Sequence, residues 1–177
     1  MSGQGPANAR PHAAMTPDAR LIDVRGPRFG AAVTSVLLLV VILLGLTTPL
    51  SGTALARVIE PGALLLTALV ALFAWGAFAG VQRHPYGLLF RRLIAPRLNP
   101  PLEREDPAAP TFAQLVGFLV TATGLALHLV GVPGALVIAA AAAFLAAFLN
   151  AAFGYCLGCQ LYVLLVRAGL VARRSAA

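Results

Sequence analysis

Four apolar runs, each about twenty residues long, constrain this chain more than any other feature of its sequence. Charged side chains lie between the runs and toward the two ends, and none of the runs contains Asp, Glu or Arg. A helix of about twenty apolar residues crosses a hydrocarbon layer of about 30 Å. The runs therefore predict an all-α polytopic membrane protein with four transmembrane helices, over about 29–48, 61–81, 111–130 and 133–153.

Composition agrees with this class. Hydrophobic residues make up 59% of the 177 and charged residues only 11%, whereas soluble domains average about 25% charged residues. The net charge of +7 suits anionic lipid headgroups better than nucleic acid, because the arginines flank the apolar runs. We therefore expect a lipid bilayer as the partner and no nucleic acid. Phosphate-binding loops, nucleophile triads and paired carboxylates are absent from the sequence, so no cofactor is predicted.

The polar segments complete the predicted organisation. Residues 1–20 offer no apolar surface to bury and are expected to form a disordered cytoplasmic tail. Residues 21–172 form one membrane domain, with a cytoplasmic loop over 82–110 and an interfacial C-terminal helix over 155–172. Within the loop, residues 88–94 are short, amphipathic and basic, which predicts a helix lying on the membrane surface.

Arginine counting predicts the orientation. With four spans, the N-terminus, the 82–110 loop and the C-terminus share one side of the membrane. That side carries every arginine except Arg57, and cytoplasmic loops are enriched in basic residues. The prediction is a multi-pass protein of the inner (plasma) membrane with both termini cytoplasmic. The arginines of this side are Arg10, Arg20, Arg25, Arg28, Arg83, Arg91, Arg92, Arg97, Arg104, Arg167, Arg173 and Arg174.

Small and polar residues recur at steps of three and four along the third run, at Gln114, Gly117, Thr121, Gly124 and His128. Such a helix face belongs against other helices, because lipid offers its polar groups no partner. Gly76-x-x-x-Gly80 in the second run allows the same close approach. We expect the small-residue stripes of the first three spans to pack against the alanine-rich fourth.

The two cysteines lie close together, in Cys156-Leu157-Gly158-Cys159. A helix continuing from Pro133 to Val166 would be about 51 Å long, so a break is expected, and Gly154 is its predicted place. Cys156 would then begin a new helix, where a thiol gains thiolate character, with Cys159 on the same face. One hypothesis is a catalytic dithiol near the cytoplasmic surface, for redox or sulfur-relay chemistry. In this hypothesis, Cys156 is the attacking thiol and Cys159 is the resolving thiol.

Other interpretations of the cysteines remain open. Both are small enough to be structural residues in a Gly-rich helix junction. A metal site would need more ligands than two cysteines supply; His12 and His84 lie on the same predicted side, but their spacing does not require it, so no metal is predicted. The alternative function is a non-catalytic membrane scaffold or partner subunit that binds a cytosolic protein or anionic lipid. Whether the protein is an enzyme, and its oligomeric state, stay undecided.

Two polar residues lie within the spans. His128 is expected near the outer surface, far from Cys156, and to donate to a backbone carbonyl or water. Asn150 is expected to bond across helices or to the broken backbone near Gly154. Intramembrane polar groups are functional candidates by default, but here these structural roles suffice.

Two sequence boxes carry a resemblance. They are Arg25-Gly26-Pro27-Arg28-Phe29-Gly30 and Asn150-Ala151-Ala152-Phe153-Gly154-Tyr155-Cys156-Leu157-Gly158-Cys159, with Pro85-Tyr86-Gly87-Leu88 between them. With them the chain resembles, over roughly residues 21–166, a bacterial family of small four-span membrane proteins known only as a domain of unknown function. The resemblance implies a bacterial inner-membrane protein without an established activity. It also suggests a cytosolic thioredoxin-like or sulfur-transfer protein as partner.

Overall fold

The computed structural model describes residues 21–101 and 103–171, and helices make up most of this part. Its α-helices are α1 (Arg25–Thr47), α2 (Ala54–Val58), α3 (Pro61–Ala79), α4 (Pro85–Leu89), α5 (Ala108–Leu129), α6 (Ala135–Phe153) and α7 (Leu157–Arg167). Helices α1, α3, α5 and α6 are each long and apolar enough to cross a membrane. The prediction of an all-α polytopic membrane protein is confirmed. The predicted disordered tail, residues 1–20, lies outside the described residues.

Helix α1 begins at Arg25, which places Arg25 and Arg28 in its first turn. The Asp23 side chain accepts from the backbone nitrogen of Arg25 at 2.9 Å and pairs with its guanidinium at 2.7 Å. The hydrogen bond from Arg25 holds the pKa of Asp23 below its ordinary value. A short antiparallel pair, β1 (Ile22–Asp23) with β2 (Arg104–Glu105), ties this start to the long loop. The sequence indicated neither strand.

The four long helices form a ring. Helix α1 packs against α3 and α6, and α5 packs against the same two from the opposite side; α3 and α6 touch only slightly. The core lies where α1, α3 and α6 meet, and its largest fully buried side chains include Leu38, Val41, Leu66 and Leu69. Helix α7 lies against α5 at the arginine-rich end of the ring.

The small-residue stripe of α5 is buried between helices, as predicted. Thr121 is fully buried, and a β-carbon added to Gly124 would collide with Ala139 of α6. The expectation that every stripe faces the fourth span is wrong for α3. A β-carbon on Gly76 would lie 2.7 Å from the Gln114 side chain, because the ring places α3 beside α5. Gly80 has no atoms within 4 Å of such a carbon, so only one glycine of the pair serves packing.

The loop after α3 is buried more deeply than the predicted helix on the membrane surface would be. Helix α4 is followed by a wider helical turn over Phe90–Ile94. Phe90 is only 3% exposed and packs on Phe29 at a ring distance of 6.0 Å. Leu88 and Leu93 are exposed on the other side. One face of this basic segment is therefore buried against α1, and the other remains available to the membrane surface.

Candidate functional site

The cysteines lie at the start of α7. Helix α6 ends at Gly154, which has a φ of 70°, a left-handed conformation that glycine adopts without strain. The helix is interrupted there, as the sequence predicted. Cys156 is extended and caps α7, and its Sγ accepts a hydrogen bond from the backbone nitrogen of Cys159 at 3.2 Å. The break at Gly154 thus positions the first cysteine at a helix N-terminus.

Cys156 and Cys159 form a disulfide bond, with their Cα atoms 5.2 Å apart. Both residues are half-buried. The intervening Gly158 lies against α5, since a β-carbon there would be 2.6 Å from Ala113. The first turn of α7 therefore places both sulfur atoms on one side of the helix.

A cavity of about 1030 Å³ opens beside the pair, between α1, α5, α6 and α7. Cys156 and Cys159 line it, together with Arg28 and Glu105. A Cβ added to Gly154 would lie 3.6 Å from the guanidinium of Arg28, which also donates to the Ala151 carbonyl at 3.4 Å. Burial raises the pKa of Glu105, so this carboxyl retains a proton to higher pH than an exposed glutamate. The wall of this cavity therefore carries a guanidinium and a carboxyl group as well as the two sulfur atoms.

His84 and Tyr86 lie on the wall of the same cavity. Nε2 of His84 is 3.1 Å from the Leu72 carbonyl oxygen, and its Nδ1 accepts from the backbone nitrogen of Tyr86 at 3.3 Å. Burial lowers the pKa of His84, so its imidazole is neutral, and both ring nitrogens are engaged by protein. His84 is therefore a poor metal ligand, and His12 lies outside the described residues. The described residues also contain no group of three or more His, Cys, Asp or Glu that could hold a metal ion.

The Tyr86 hydroxyl is a feature that sequence reasoning missed. It is buried, and the Thr34 side chain is its hydrogen-bonding neighbour, at a geometry outside the regular range. Burial raises the pKa of Tyr86, so the phenol is protonated. In the sequence, a tyrosine in a Pro-Tyr-Gly turn between two spans resembles an interfacial anchor. Its hydroxyl is buried because the ring packs on Gly30 of α1, a contact that the sequence does not indicate.

Asn150 also lines the cavity. Its backbone carbonyl accepts from the nitrogen of Gly154 at 2.9 Å, which closes the last turn of α6. The expected hydrogen bond from its side chain is wrong, because within residues 21–101 and 103–171 that side chain forms none.

The opposite end of the bundle holds a second polar cluster. Nε2 of His128 lies 2.9 Å from Oε2 of Glu60, and the two residues are 6% and 8% exposed. The other carboxylate oxygen accepts from the backbone nitrogen of Ser51 at 2.9 Å. The expectation of a carbonyl or water partner for His128 is therefore wrong, since its partner is a carboxylate. Sequence reasoning missed the pair because Glu60 reads as a loop residue before the second span.

Comparison with known proteins identifies the family. Residues 22–167 match the family described as Domain of unknown function (DUF4395), and because this is most of the chain, the protein belongs to that family. Neither the curated proteins nor the solved structures contain a match.

Proposed function

We propose that this member of the DUF4395 family is a membrane-held thiol–disulfide protein, with Cys156 and Cys159 as its reactive pair. The observation that carries the proposal is the placement of the pair at the N-terminus of α7, on the wall of a large cavity. A purely structural cysteine pair would be expected in packed surroundings, away from open space. Here both sulfur-bearing residues are half-buried and line the cavity.

The reaction is a two-step exchange with a dithiol partner. A thiolate of the partner attacks Sγ of Cys156, a mixed disulfide forms, and Cys159 leaves as a thiolate. The second thiolate of the partner then attacks the partner's other cysteine sulfur, the one in the mixed disulfide, and releases Cys156 as a thiolate. The partner ends as a disulfide and this protein as a dithiol. In the reverse direction Cys156 attacks and Cys159 resolves; reduction potentials decide the direction.

The membrane and the side of action are part of the proposal. Eight described arginines lie at the α7 end of the bundle, and Arg57 is alone at the other end among the described residues. The positive-inside rule then makes the α7 end cytoplasmic in a bacterial inner membrane. The partner would be a cytosolic dithiol protein of the thioredoxin-like or sulfur-transfer class, as the resemblance suggests. The eight arginines are Arg25, Arg28, Arg83, Arg91, Arg92, Arg97, Arg104 and Arg167.

The experiment is a redox titration combined with vesicle labelling. Membranes are equilibrated in glutathione buffers of graded potential, and free thiols are counted by the gel shift of a bulky maleimide. A single two-electron transition is expected for the wild type, and none for Cys156→Ser or Cys159→Ser. After reduction, a membrane-impermeant maleimide should label inside-out vesicles and leave right-side-out vesicles unlabelled. A pair that never exchanges with glutathione would end the proposal, and labelling of the other vesicles would reverse the orientation.

A second candidate is a scaffold that holds anionic lipid or a cytosolic protein at the membrane. It is favoured by exposed Arg91 and Arg92 beside exposed Leu88, Leu89 and Leu93. Cations next to apolar side chains bind anionic interfaces. A variant with both cysteines changed to Ser separates the two functions, because it should preserve the scaffold and remove thiol exchange.

A further inference from the structure

The cavity beside the cysteines reaches deep into the bundle. Thr34 of α1 lines it, about 14 Å from the start of that helix at a rise of about 1.5 Å per residue. Val120 lines it about 18 Å into α5 by the same rise. Counted from the predicted span starts at 29 and 111, Thr34 and Val120 lie about 8 Å and about 14 Å into a hydrocarbon layer of about 30 Å, so the cavity reaches about the middle of the membrane beside α5. An occupant that fills it must be soluble in lipid over much of its length.

The wall of the cavity changes character with depth. Charged residues line it, Arg28 and Glu105 among them, and Arg28 lies beside Gly154 at the end of α6. Deeper in the bundle, the wall is formed in part by alanines of α6, among them Ala143 and Ala146, whose small side chains leave space in the cavity. Ligand sites of about 300–1,000 Å³ are typical of small molecules. The shape and lining therefore fit one mainly apolar molecule that reaches from the cysteines into the bundle.

The Tyr86 hydroxyl supplies the second, independent observation. It lines this cavity and is buried, and its contact with the Thr34 side chain lacks regular hydrogen-bond geometry. A buried hydroxyl is stabilised by an acceptor at regular hydrogen-bond distance and angle. A ligand with a carbonyl oxygen would satisfy it, and a plain acyl chain would not. The occupant is thus expected to carry an acceptor oxygen at the level of Thr34.

From these observations we infer that the cavity binds a lipid-soluble quinone, which oxidises the Cys156–Cys159 dithiol. The inference rests on the proposed function, since it names the electron acceptor of the same pair. In the reaction the two S–H bonds break and one S–S bond forms. Two electrons and two protons pass to the quinone, whose two carbonyl oxygens become the hydroxyls of a quinol. Quinones combine the required two-electron chemistry with an apolar body and acceptor oxygens.

The test uses full-length protein in lipid nanodiscs, reduced, freed of reductant and kept anaerobic. Decylubiquinone is added, quinone absorbance reports the quinol formed, and the maleimide gel shift reports the thiols lost. The expected result is one quinol per disulfide, with a rate that saturates with quinone concentration. Cys156→Ser should form no quinol. Wild-type protein that exchanges with glutathione but forms no quinol would overturn the quinone inference and leave the proposed function standing. A pair inert to both reagents would overturn the two together.

Two variants locate the reaction in the cavity. Ala146→Phe fills part of it and should slow quinol formation at least tenfold. Leu145→Phe is the matched control, because Leu145 is 59% exposed and lies outside the cavity lining; its rate should stay within about twofold of wild type, as expected for exposed substitutions. Equal rates for the two variants would place the reaction elsewhere and overturn the inference.

Tyr86→Phe gives a test that does not depend on filling space. Loss of one hydrogen bond should raise the quinone KM about threefold to tenfold. Because the contact of the hydroxyl with Thr34 lacks regular geometry, its removal should change the Tm without quinone little. A hydroxyl with a merely structural role would lower that Tm and leave KM unchanged, which would remove Tyr86 from the site.

Discussion

A β-carbon added to Gly158 would lie 2.6 Å from both Cα and Cβ of Ala113, so the first turn of α7 rests directly on α5. Gly158 stands between the two cysteines, and this contact therefore fixes how the pair sits on the bundle. Only glycine allows two helices to meet so closely. The small residue between the cysteines is explained by packing, independently of any chemistry.

Gly158→Ala should displace α7 from α5. We expect a loss of about 1–3 kcal/mol in the free energy of unfolding, as for an overpacked contact, and faster maleimide labelling of reduced Cys159. Thermal unfolding and labelling rates in detergent measure both. Gly52→Ala is the matched control, because nothing lies within 4 Å of a β-carbon at Gly52. Equal behaviour of the two variants would show that α7 does not rest on α5 in this way.

Gly154→Ala tests the helix break. Its φ of 70° costs a non-glycine residue roughly 1–2 kcal/mol, so Ala favours continuing α6 and removing Cys156 from its capping position. We expect a lower Tm and a smaller fraction of closed disulfide at a given glutathione potential. Gly154→Asn is the control, since Asn tolerates this conformation better. If Ala and Asn behave alike, the left-handed conformation does not determine the position of Cys156.

The fold was largely predictable, and the reason is physical. Lipid satisfies no backbone hydrogen bonds, so each long apolar run must be a helix, and a left-handed glycine stops α6 where bilayer thickness requires a break. The order of helices around the ring was not predictable. A stripe of small residues shows that a face is buried but not which neighbour covers it. For that reason Gly76 was expected against α6 and lies against Gln114 of α5.

The candidate site was predictable only in part. Cys156 and Cys159 are neighbours in sequence, and their spacing alone suggested a pair. Tyr86 and the Glu60–His128 pair depend on contacts between segments that are distant in sequence. Their residue types and positions, in a turn and at the edge of a span, resemble those of solvated loop residues. Helix packing, which no periodicity encodes, is what buries them.

Among the described residues, Arg57 is the arginine at the end opposite the cysteines, and its side chain joins two segments of the chain. It donates to the carbonyls of Ser51, Gly52 and Leu129, which joins the loop before α3 to the end of α5. Arg57→Lys keeps the charge but cannot reproduce the planar fork. We expect a loss of about 1–3 kcal/mol in unfolding free energy, from the hydrogen bonds lost. Thermal unfolding measures this effect.

The matched control for Arg57→Lys is Arg83→Lys, at an exposed arginine in the long loop. It should change stability by less than about 0.5 kcal/mol, as is usual for surface positions. Similar losses for the two lysine variants would mean that charge, and not the three carbonyl contacts, matters at Arg57.

The Glu60–His128 pair predicts a specific response to acid. Burial alone would raise the pKa of Glu60, but hydrogen bonds from Ser51 and the neighbouring His128 outweigh it and hold the pKa below its ordinary value of 4.5. A depressed carboxyl pKa adds stability that is present above the ordinary value and is lost as pH falls through the lower, folded value. The Tm of the wild type should therefore drop as pH falls below about 4.5. Glu60→Gln should have a lower Tm at neutral pH, and its Tm should fall less steeply as the pH is lowered into the acid range.

Glu103→Gln is the control for this experiment, because Glu103 is an exposed carboxyl at the other end of the bundle. Its Tm should follow the wild-type curve across the whole pH range, since removing an exposed charge changes stability little. Asp23 also has a lowered pKa, so part of the fall in Tm at acid pH remains in every variant. The informative quantity is therefore the difference between the Glu60→Gln and Glu103→Gln curves. If that difference does not vary with pH, the carboxylate of Glu60 contributes no pH-dependent stability, and its contact with His128 only fills space.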